Sequence, residues 1–191
     1  MNLIAKLDRR DVVQAHVIYD AAKKKGPVPE LDRWDWSSAD QLDQALSAAG
    51  YKPGILAGYL SWQKVELELD DLSRCAVVNS ISDELKGPRD LGGLLQRNLL
   101  INWTPRRVVG WMAQVEGGIP FSETEPFILR PSVQSELPAK WYLEDGSGRA
   151  TALVSRSSRF GTGTTVAYGF LGDSPDPEST FMRRRFPTLI K

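Results

Sequence analysis

Apolar residues in the N-terminal part of the chain recur every three to four positions, which is the spacing of a helix with one buried face. The first such stretch covers residues 8 to 25, where Asp8 is placed to cap the helix and the run KKKGP ends it. A second helix is predicted to begin after Ser37 or Ser38 and to end at Gly50, because serine caps helix N-termini and glycine closes C-termini. This part of the chain is therefore predicted to be mainly helical.

The pattern is less uniform toward the middle of the chain. The run KVELELDD alternates apolar and acidic positions, which fits a half-buried strand and also an acidic helix face, so both assignments stay open. Helices are predicted for LGGLLQRNLLINW and for a segment beginning near Pro105. From GGIPFSETEPFILRP onward, short apolar runs alternate with proline, glycine and acidic residues, as in strands and loops. These patterns predict an α+β protein with a mainly helical region at 1–100 and a mixed α/β region at 101–191, either as two domains or as one compact unit.

Two structures compete for the stretch WYLEDGSGRATALV. An Asp-Gly turn between apolar runs is typical of a β-hairpin. The alternative is a strand at 141–143, a glycine turn and a helix over about 149–158. Ala150, Ala152 and Leu153 form helices more readily than strands, which favours the strand-turn-helix arrangement.

The strand-turn-helix arrangement would create a binding place for an anion. Glycines let backbone N–H groups turn inward at a helix N-terminus, where the first N–H groups have no acceptor within the helix. Arg149 adds a planar cation that can hold two phosphate oxygens, and Ser147 adds a hydroxyl group. The predicted phosphate site consists of Gly146, Ser147, Gly148, Arg149 and Ala150.

Composition narrows the class of protein only in part. The 191 residues are 41% apolar and carry 24 basic and 24 acidic side chains, so attraction to nucleic acid requires a local basic patch. Cys75 is the only cysteine and lies in an apolar segment, which predicts a buried, inert thiol and excludes an internal disulfide. His16 is the only histidine, so a Ser-His-Asp triad is not expected. No apolar run has the length of a signal peptide or a membrane span, and the protein is expected in the cytoplasm.

The stretch WYLEDGSGRATAL resembles the strand, Asp-Gly-x-x-Arg, helix signature of the ParB/sulfiredoxin superfamily. IPFSETEPFILRP is similar to an early strand of that superfamily and TTVAYGFLG to the strand after its helix, so the resemblance covers about residues 100 to 191. It implies that a helical N-terminal half is followed by a ParB/sulfiredoxin-like mixed α/β domain. In such a domain the glycine turn and its arginine bind nucleotide phosphates, with ATP and Mg²⁺ as the expected cofactors. Sulfiredoxin activity is not expected, because Ser147 stands where that chemistry needs a cysteine.

The size, the helical first half and the late position of the signature resemble the plasmid fertility-inhibition proteins of the oncogenic-suppression type. This resemblance implies a bacterial cytoplasmic protein that blocks conjugative or T-DNA transfer and reaches the inner membrane only through a conjugation or type IV secretion component. It also implies ATP hydrolysis and sequence-independent DNA cleavage. The alternatives are a nucleotide-dependent small-molecule kinase on the same fold, and a non-catalytic binder of DNA or of a secretion-channel ATPase.

Candidate catalytic residues cluster around the glycine turn. Phosphoryl transfer and phosphodiester cleavage need a neutralised phosphate charge, which Arg149 can supply, and usually an oriented nucleophile and a metal held by carboxylates. Glu144 and Asp145 adjoin the turn and are candidates for positioning water or Mg²⁺. Glu123 and Glu125 lie in the loop before the strand PFILR and are further candidates. The alternative is that Asp145 only caps the turn and that the other carboxylates are solvated charges.

DNA crossing the same region would need basic partners, since phosphate contacts dominate non-specific affinity. The densest basic run lies between Phe181 and Phe186 and fits either a phosphate-binding arm or the solvated face of a segment anchored by the two phenylalanines. The predicted DNA-binding residues are Arg130, Arg156, Arg159, Arg183, Arg184 and Arg185.

Overall fold

The computed structural model describes most of the chain. The described residues are 1–24, 26–51, 54–77, 90–96, 112–113, 115, 126–136, 138–156 and 163–190. Within them the protein is α+β, with a five-stranded mixed sheet and six helices, which confirms the predicted class. In chain order the elements are β1 (Asn2–Asp8), α1 (Arg9–Lys24), α2 (Ala39–Ala48), β2 (Tyr59–Glu68), α3 (Leu69–Ser73), α4 (Leu91–Gln96), β3 (Phe127–Pro131), β4 (Trp141–Asp145), α5 (Ser147–Ser155), β5 (Thr165–Pro175) and α6 (Thr180–Arg185).

The strands follow the order β1-β2-β5-β3-β4 in the sheet, and the chain forms two compact units. The first unit contains Met1–Leu3 and Val65–Gly169. The second unit contains Ile4–Lys64 and Phe170–Lys191. Three strands, β1, β2 and β5, therefore continue from one unit into the other. The boundary predicted near residue 100 lies outside the described residues.

The two helices predicted for the N-terminal part of the chain are confirmed, and so are their ends. α1 begins after Asp8, whose carboxylate accepts a hydrogen bond of 2.9 Å from the N–H of Asp11. α2 begins after Ser38, whose hydroxyl oxygen accepts a hydrogen bond of 3.3 Å from the N–H of Gln41. Gly50 closes α2 in the left-handed conformation, with φ of 79°. Of the two serines predicted as caps, the structure uses the second.

A buried ion pair anchors the start of α1 within the second unit. The Arg9 guanidinium pairs with Asp176, and its Nε donates a hydrogen bond of 2.9 Å to the carbonyl oxygen of Tyr59. The N–H of Asp176 in turn donates to the carbonyl oxygen of Gly58 at 2.8 Å. Because a buried charge that loses its partner costs several kcal/mol, this pair holds the helix start against the beginning of β2 and the end of β5.

The ambiguous alternating segment KVELELDD divides between two elements: KVELE ends strand β2, and LDD begins helix α3. In β2 the apolar positions Trp62, Val65 and Leu67 are buried, while Glu66 and Glu68 are half-buried. β1 was not expected from the sequence, because Ile4 interrupts the alternation of Leu3, Ala5 and Leu7 with polar residues.

The two later helix predictions are tested only in part. α4 confirms a helix over the first part of LGGLLQRNLLINW, and the rest of that stretch lies outside the described residues. Of the helix predicted from Pro105 onward, only Met112, Ala113 and Val115 are described, and all are helical.

In the first unit, β3 and β4 pair antiparallel with a shift in register. Ile128 pairs with Asp145, whereas Leu129 pairs with Leu143. Glu144 is therefore the extra residue of a β-bulge, an irregularity that re-aims side chains at the end of a strand. This bulge lies next to the glycine turn.

The segment around Ala76 runs along β4 in the same unit. The N–H of Ala76 donates to the carbonyl oxygen of Trp141 at 2.8 Å, and the N–H of Leu143 donates to the carbonyl oxygen of Ala76 at 2.9 Å. Ala76 also packs with Ala139 and Tyr142 in a buried cluster. The neighbouring Cys75 is buried as a result.

The burial of Cys75 makes a first prediction. Cys75 is buried, as predicted from the sequence, and burial together with the charge of Asp71 raises the pKa of its thiol to about 12. Because only the thiolate reacts, roughly one molecule in 10⁴ is reactive at pH 8 in the folded state. We expect Cys75 to resist alkylation in native buffer and to react fully in urea, as measured by mass spectrometry. Equal labelling rates in the two conditions would contradict this burial.

Candidate functional site

The stretch WYLEDGSGRATAL forms a strand, a glycine turn and a helix, so the strand-turn-helix prediction is confirmed and the hairpin is excluded. β4 ends at Asp145, Gly146 adopts the left-handed conformation with φ of 98° and ψ of 8°, and α5 begins at Ser147. The helix ends at Ser155, so it lies slightly closer to the turn than the predicted span of 149–158.

Gly146 is required by two local constraints. Its φ of 98° lies in the region that side chains rarely adopt. A Cβ atom at this position would also lie 2.5 Å from Cδ1 of Phe127 and 3.1 Å from an Nη atom of Arg149. The glycine therefore leaves space for the Phe127 ring and the Arg149 guanidinium. This packing explains why a glycine stands at this position, whether or not a ligand binds.

The N-terminus of α5 is the part of the turn best suited to an anion. In an α-helix the first N–H groups have no acceptor within the helix, and here they belong to Ser147, Gly148 and Arg149. Ser147 and Gly148 are half-buried, so part of each reaches the surface. The N–H of Ala150 donates to the carbonyl oxygen of Gly146 at 2.9 Å, so this predicted site residue acts within the helix itself.

The side chain of Arg149 lies inside the protein. It is 2% exposed, and one of its Nη atoms donates a hydrogen bond of 3.0 Å to the carbonyl oxygen of Pro126. The guanidinium carbon lies 4.4 Å from the centre of the Phe127 ring, and the carboxylate of Asp145 is 3.5 Å away. The positive charge of Arg149 therefore lies inside the protein, beside Phe127 and Pro126, and not at the surface of the turn. A direct bidentate contact with phosphate would require the guanidinium to leave these partners.

The two carboxylates beside the turn are held by different cations. Glu144, on the bulge, accepts a hydrogen bond of 2.6 Å from Nε of Arg130, whereas Asp145 lies beside Arg149. The side chain of Asp145 is 42% exposed and that of Glu144 is 25% exposed. No group of three or more His, Cys, Asp or Glu side chains able to hold a metal ion occurs within the described ranges. Binding of Mg²⁺ by Glu144 and Asp145 stays a prediction, and the ion would have to compete with both arginines.

Arg130, predicted to contact DNA, is the centre of a buried network. Two of its nitrogens donate to the carboxylate of Glu136 at 2.7 and 2.6 Å, and its guanidinium carbon lies 4.1 Å from the centre of the Tyr142 ring. Burial acts to lower the pKa of Arg130, but the hydrogen bonds and charges of Glu136 and Glu144 outweigh it, and the pKa is raised. Arg130 would reach a DNA phosphate only if these carboxylates released it.

Glu136 was missed in the sequence analysis. It ends the short 3₁₀ turn Gln134–Glu136 after β3 and also accepts a hydrogen bond of 2.8 Å from the N–H of Val133. No local pattern distinguishes it from an exposed loop glutamate, since its burial depends on Arg130, which lies on the strand.

The other predicted DNA contacts lie in different units. Arg156 caps the C-terminal end of α5 in the first unit and is half-buried. The run Arg183–Arg185 is exposed in the last turn of α6 in the second unit, where Arg183 donates to the carbonyl oxygen of Glu178 at 3.1 Å. Of the two phenylalanines predicted to anchor this run, Phe186 is buried just after the helix and Phe181 is half-buried, while Met182 between them is also buried. The predicted residues Glu123, Glu125 and Arg159 lie outside the described residues.

Comparison with known proteins gives no match to any family model, curated protein or solved structure. The resemblance to the ParB/sulfiredoxin superfamily therefore stays a prediction based on the glycine turn and its flanking strands. In the part of the chain that the structure describes, no helix combines the length and the apolar character needed to cross a membrane.

Arg149→Ala is expected to weaken the fold itself. The substitution removes a buried cation that packs on Phe127 and leaves the carbonyl oxygen of Pro126 without this donor. We expect the free energy of unfolding to fall by about 3 kcal/mol, measured in urea. The control Arg184→Ala removes an exposed arginine and should change it by less than about 0.5 kcal/mol. Equal effects of the two substitutions would show that Arg149 does not anchor the turn.

Proposed function

We propose that the chain binds the phosphate groups of a nucleotide at the 146–150 turn and that it is a plasmid fertility-inhibition protein of the oncogenic-suppression type. In this proposal it hydrolyses ATP, cleaves DNA without sequence preference and thereby blocks conjugative or T-DNA transfer. It acts in the bacterial cytoplasm, or at the inner membrane beside a type IV secretion component. The geometry of the turn supports the phosphate site, and the resemblance in sequence supports the other activities.

The observation that carries the proposal is the left-handed Gly146 between β4 and α5. This conformation starts the helix directly after the strand, so its first amides lie on the turn with the half-buried Ser147 and Gly148. Helix N-termini with glycine turns bind phosphate through backbone N–H groups and the positive end of the helix dipole. The Ser147 hydroxyl adds a hydrogen-bond donor that can rotate toward the anion.

The charges below and beside the turn determine how strongly an anion would bind. Arg149 and Asp145 lie 3.5 Å apart and largely offset one another. What remains is the helix N-terminus, equivalent to roughly half an elementary charge. Backbone hydrogen bonds would therefore contribute more to phosphate binding than a charged side chain does. Asp145, the more exposed of the two carboxylates, would lie beside the bound phosphate and is the better placed to orient a water molecule for hydrolysis.

A second candidate function is supported by the inward position of Arg149. If its contacts with Phe127 and Pro126 are its whole role, the turn joins β4 to α5 without turning over a nucleotide. The protein would then be a non-catalytic binder of DNA or of a secretion-channel ATPase. A small-molecule kinase would in contrast need the same phosphate site as the first proposal.

Ser147→Asp tests the phosphate site without disturbing the fold. An acidic residue in the first turn of a helix is favourable by about 0.3–1 kcal/mol, whereas the same charge repels a bound phosphate. We expect nucleotide affinity to fall by at least about tenfold, or roughly 1.4 kcal/mol, in isothermal calorimetry. ATP hydrolysis and plasmid nicking should fall with it.

The matched control is Gln41→Glu, which adds the same charge to the first turn of α2 in the other unit, at an exposed position. It should leave nucleotide affinity unchanged. If Ser147→Asp binds nucleotide as tightly as wild type does, the phosphate site does not lie at the turn. An intact protein that never binds nucleotide would favour the non-catalytic candidate.

The exposed arginine run makes a separate prediction about DNA. If Arg183, Arg184 and Arg185 contact phosphates, replacing all of them with alanine should reduce the salt dependence of DNA binding by up to about 3 in the slope of log K against log salt. The control Lys23→Ala/Lys24→Ala removes basic residues from the last turn of α1 and should leave the slope unchanged. Fluorescence anisotropy at several salt concentrations measures both. An unchanged slope in the arginine variant would identify the run as the solvated face of α6.

A further inference from the structure

β1 forms one edge of the sheet. It is the first strand in the order β1-β2-β5-β3-β4, and no other strand of the described residues lies beyond it. An edge strand presents a row of backbone N–H and C=O groups on which another strand can pair. None of the seven residues of β1 is buried, and the exposed ones are Asn2, Leu3, Ile4, Lys6 and Asp8.

Large exposed apolar side chains concentrate at this edge. Leu3 and Ile4 of β1 are 57% and 45% exposed, and Leu60 of the neighbouring strand β2 is 47% exposed. Elsewhere in the described part of the chain, the other large apolar side chains with comparable exposure are Ile18 and Val28. Single exposed apolar residues are common, but here two are consecutive on the edge strand and a third lies on the strand beside it.

Of the features by which sheet edges usually avoid pairing, β1 has only charged side chains. It contains no proline, and its only charged side chains are Lys6 and Asp8, which have opposite signs. The strand therefore has no net charge, and four of its seven residues are apolar.

We infer that β1 pairs with β1 of a second copy of this chain, antiparallel, with Ala5 on the two-fold axis. This register pairs all seven residues of the strand, and it places Leu3 opposite Leu7 of the second copy. Positions 3, 5 and 7 lie on one face of the strand, so the pairing forms a continuous apolar strip across the axis. Any shift of the register leaves residues at the strand ends without a partner.

The charges of β1 are compatible with pairing to a second copy. In this register Lys6 lies opposite Ile4 of the second copy and Asp8 lies opposite Asn2, so no like charges face each other directly. In a two-fold dimer the β1 edge of each copy is covered by the other copy, so no further chain can add at β1. The interface is small, so association in the micromolar range is expected.

Sedimentation of wild type over a wide concentration range tests this inference. We expect a reversible shift from 21.2 kDa to twice that mass. Ile4→Lys should abolish the shift in mass, because the new lysine would lie opposite Lys6 of the second copy and the two charges repel. Ile18→Lys makes the same substitution at a similarly exposed position on α1 and should leave the dimer intact. A wild type that stays monomeric, or equal behaviour of the two variants, would overturn the inference.

A cysteine substitution tests the register independently of stability. Residues directly opposite each other in an antiparallel pair have Cα atoms about 4.5–5.5 Å apart, within the range that a disulfide spans. Ala5→Cys should therefore form a disulfide-linked dimer on mild oxidation, while the buried Cys75 does not take part. Ser37→Cys, at an exposed position outside the strand, is the control and should stay monomeric on a non-reducing gel. Cross-linking of Ala5→Cys no faster than that of the control would overturn the proposed register.

Discussion

The glycine turn depends on one interlocked contact between Gly146, Phe127 and Arg149. The ring of Phe127 occupies the space that a side chain at Gly146 would need, and the guanidinium of Arg149 packs on that ring. Each of the three groups therefore depends on the other two for its position. The contact joins the start of β3 to the first turn of α5, so it fixes the direction in which the helix leaves the sheet. Whatever binds at the turn meets a backbone that is already arranged by packing.

This contact gives the Asp-Gly-x-x-Arg pattern a structural explanation beside the functional one. The glycine is needed for its backbone conformation and for the space that the Phe127 ring occupies beside it, while the arginine packs on that ring and lies 3.5 Å from Asp145. A phosphate-binding turn and a purely structural turn would share these requirements. The difference between them lies in what the amides of Ser147 and Gly148 and the Ser147 hydroxyl contact at the surface of the turn, because the buried arginine serves both.

Features set by neighbouring residues could be predicted from the sequence. The caps at Asp8 and Ser38, the closure of α2 at Gly50 and the strand-turn-helix at 141–155 all depend on residues a few positions apart. Burial of charge could not be predicted in this way. Arg130 was assigned to DNA, yet it is enclosed by Glu136 and Glu144, and the sequence holds no local mark of that pairing. β1 was missed for a different reason, since the apolar and exposed Ile4 interrupts the alternation that Leu3, Ala5 and Leu7 would otherwise make with polar residues.

The nested arrangement of the two units has a consequence for synthesis. The second unit contains residues 4–64 and 170–191, so more than a hundred residues of the first unit are made between its two parts. Its early portion must wait on the ribosome until the rest of β5 and α6 emerge, and the partner of Arg9 is Asp176, which is made late. Contacts between residues so far apart in the chain slow folding, because a long loop must close before they form. At an elongation rate of roughly 5–20 residues per second, the wait lasts several seconds or more, during which the apolar faces of α1 and α2 are candidates for chaperone binding.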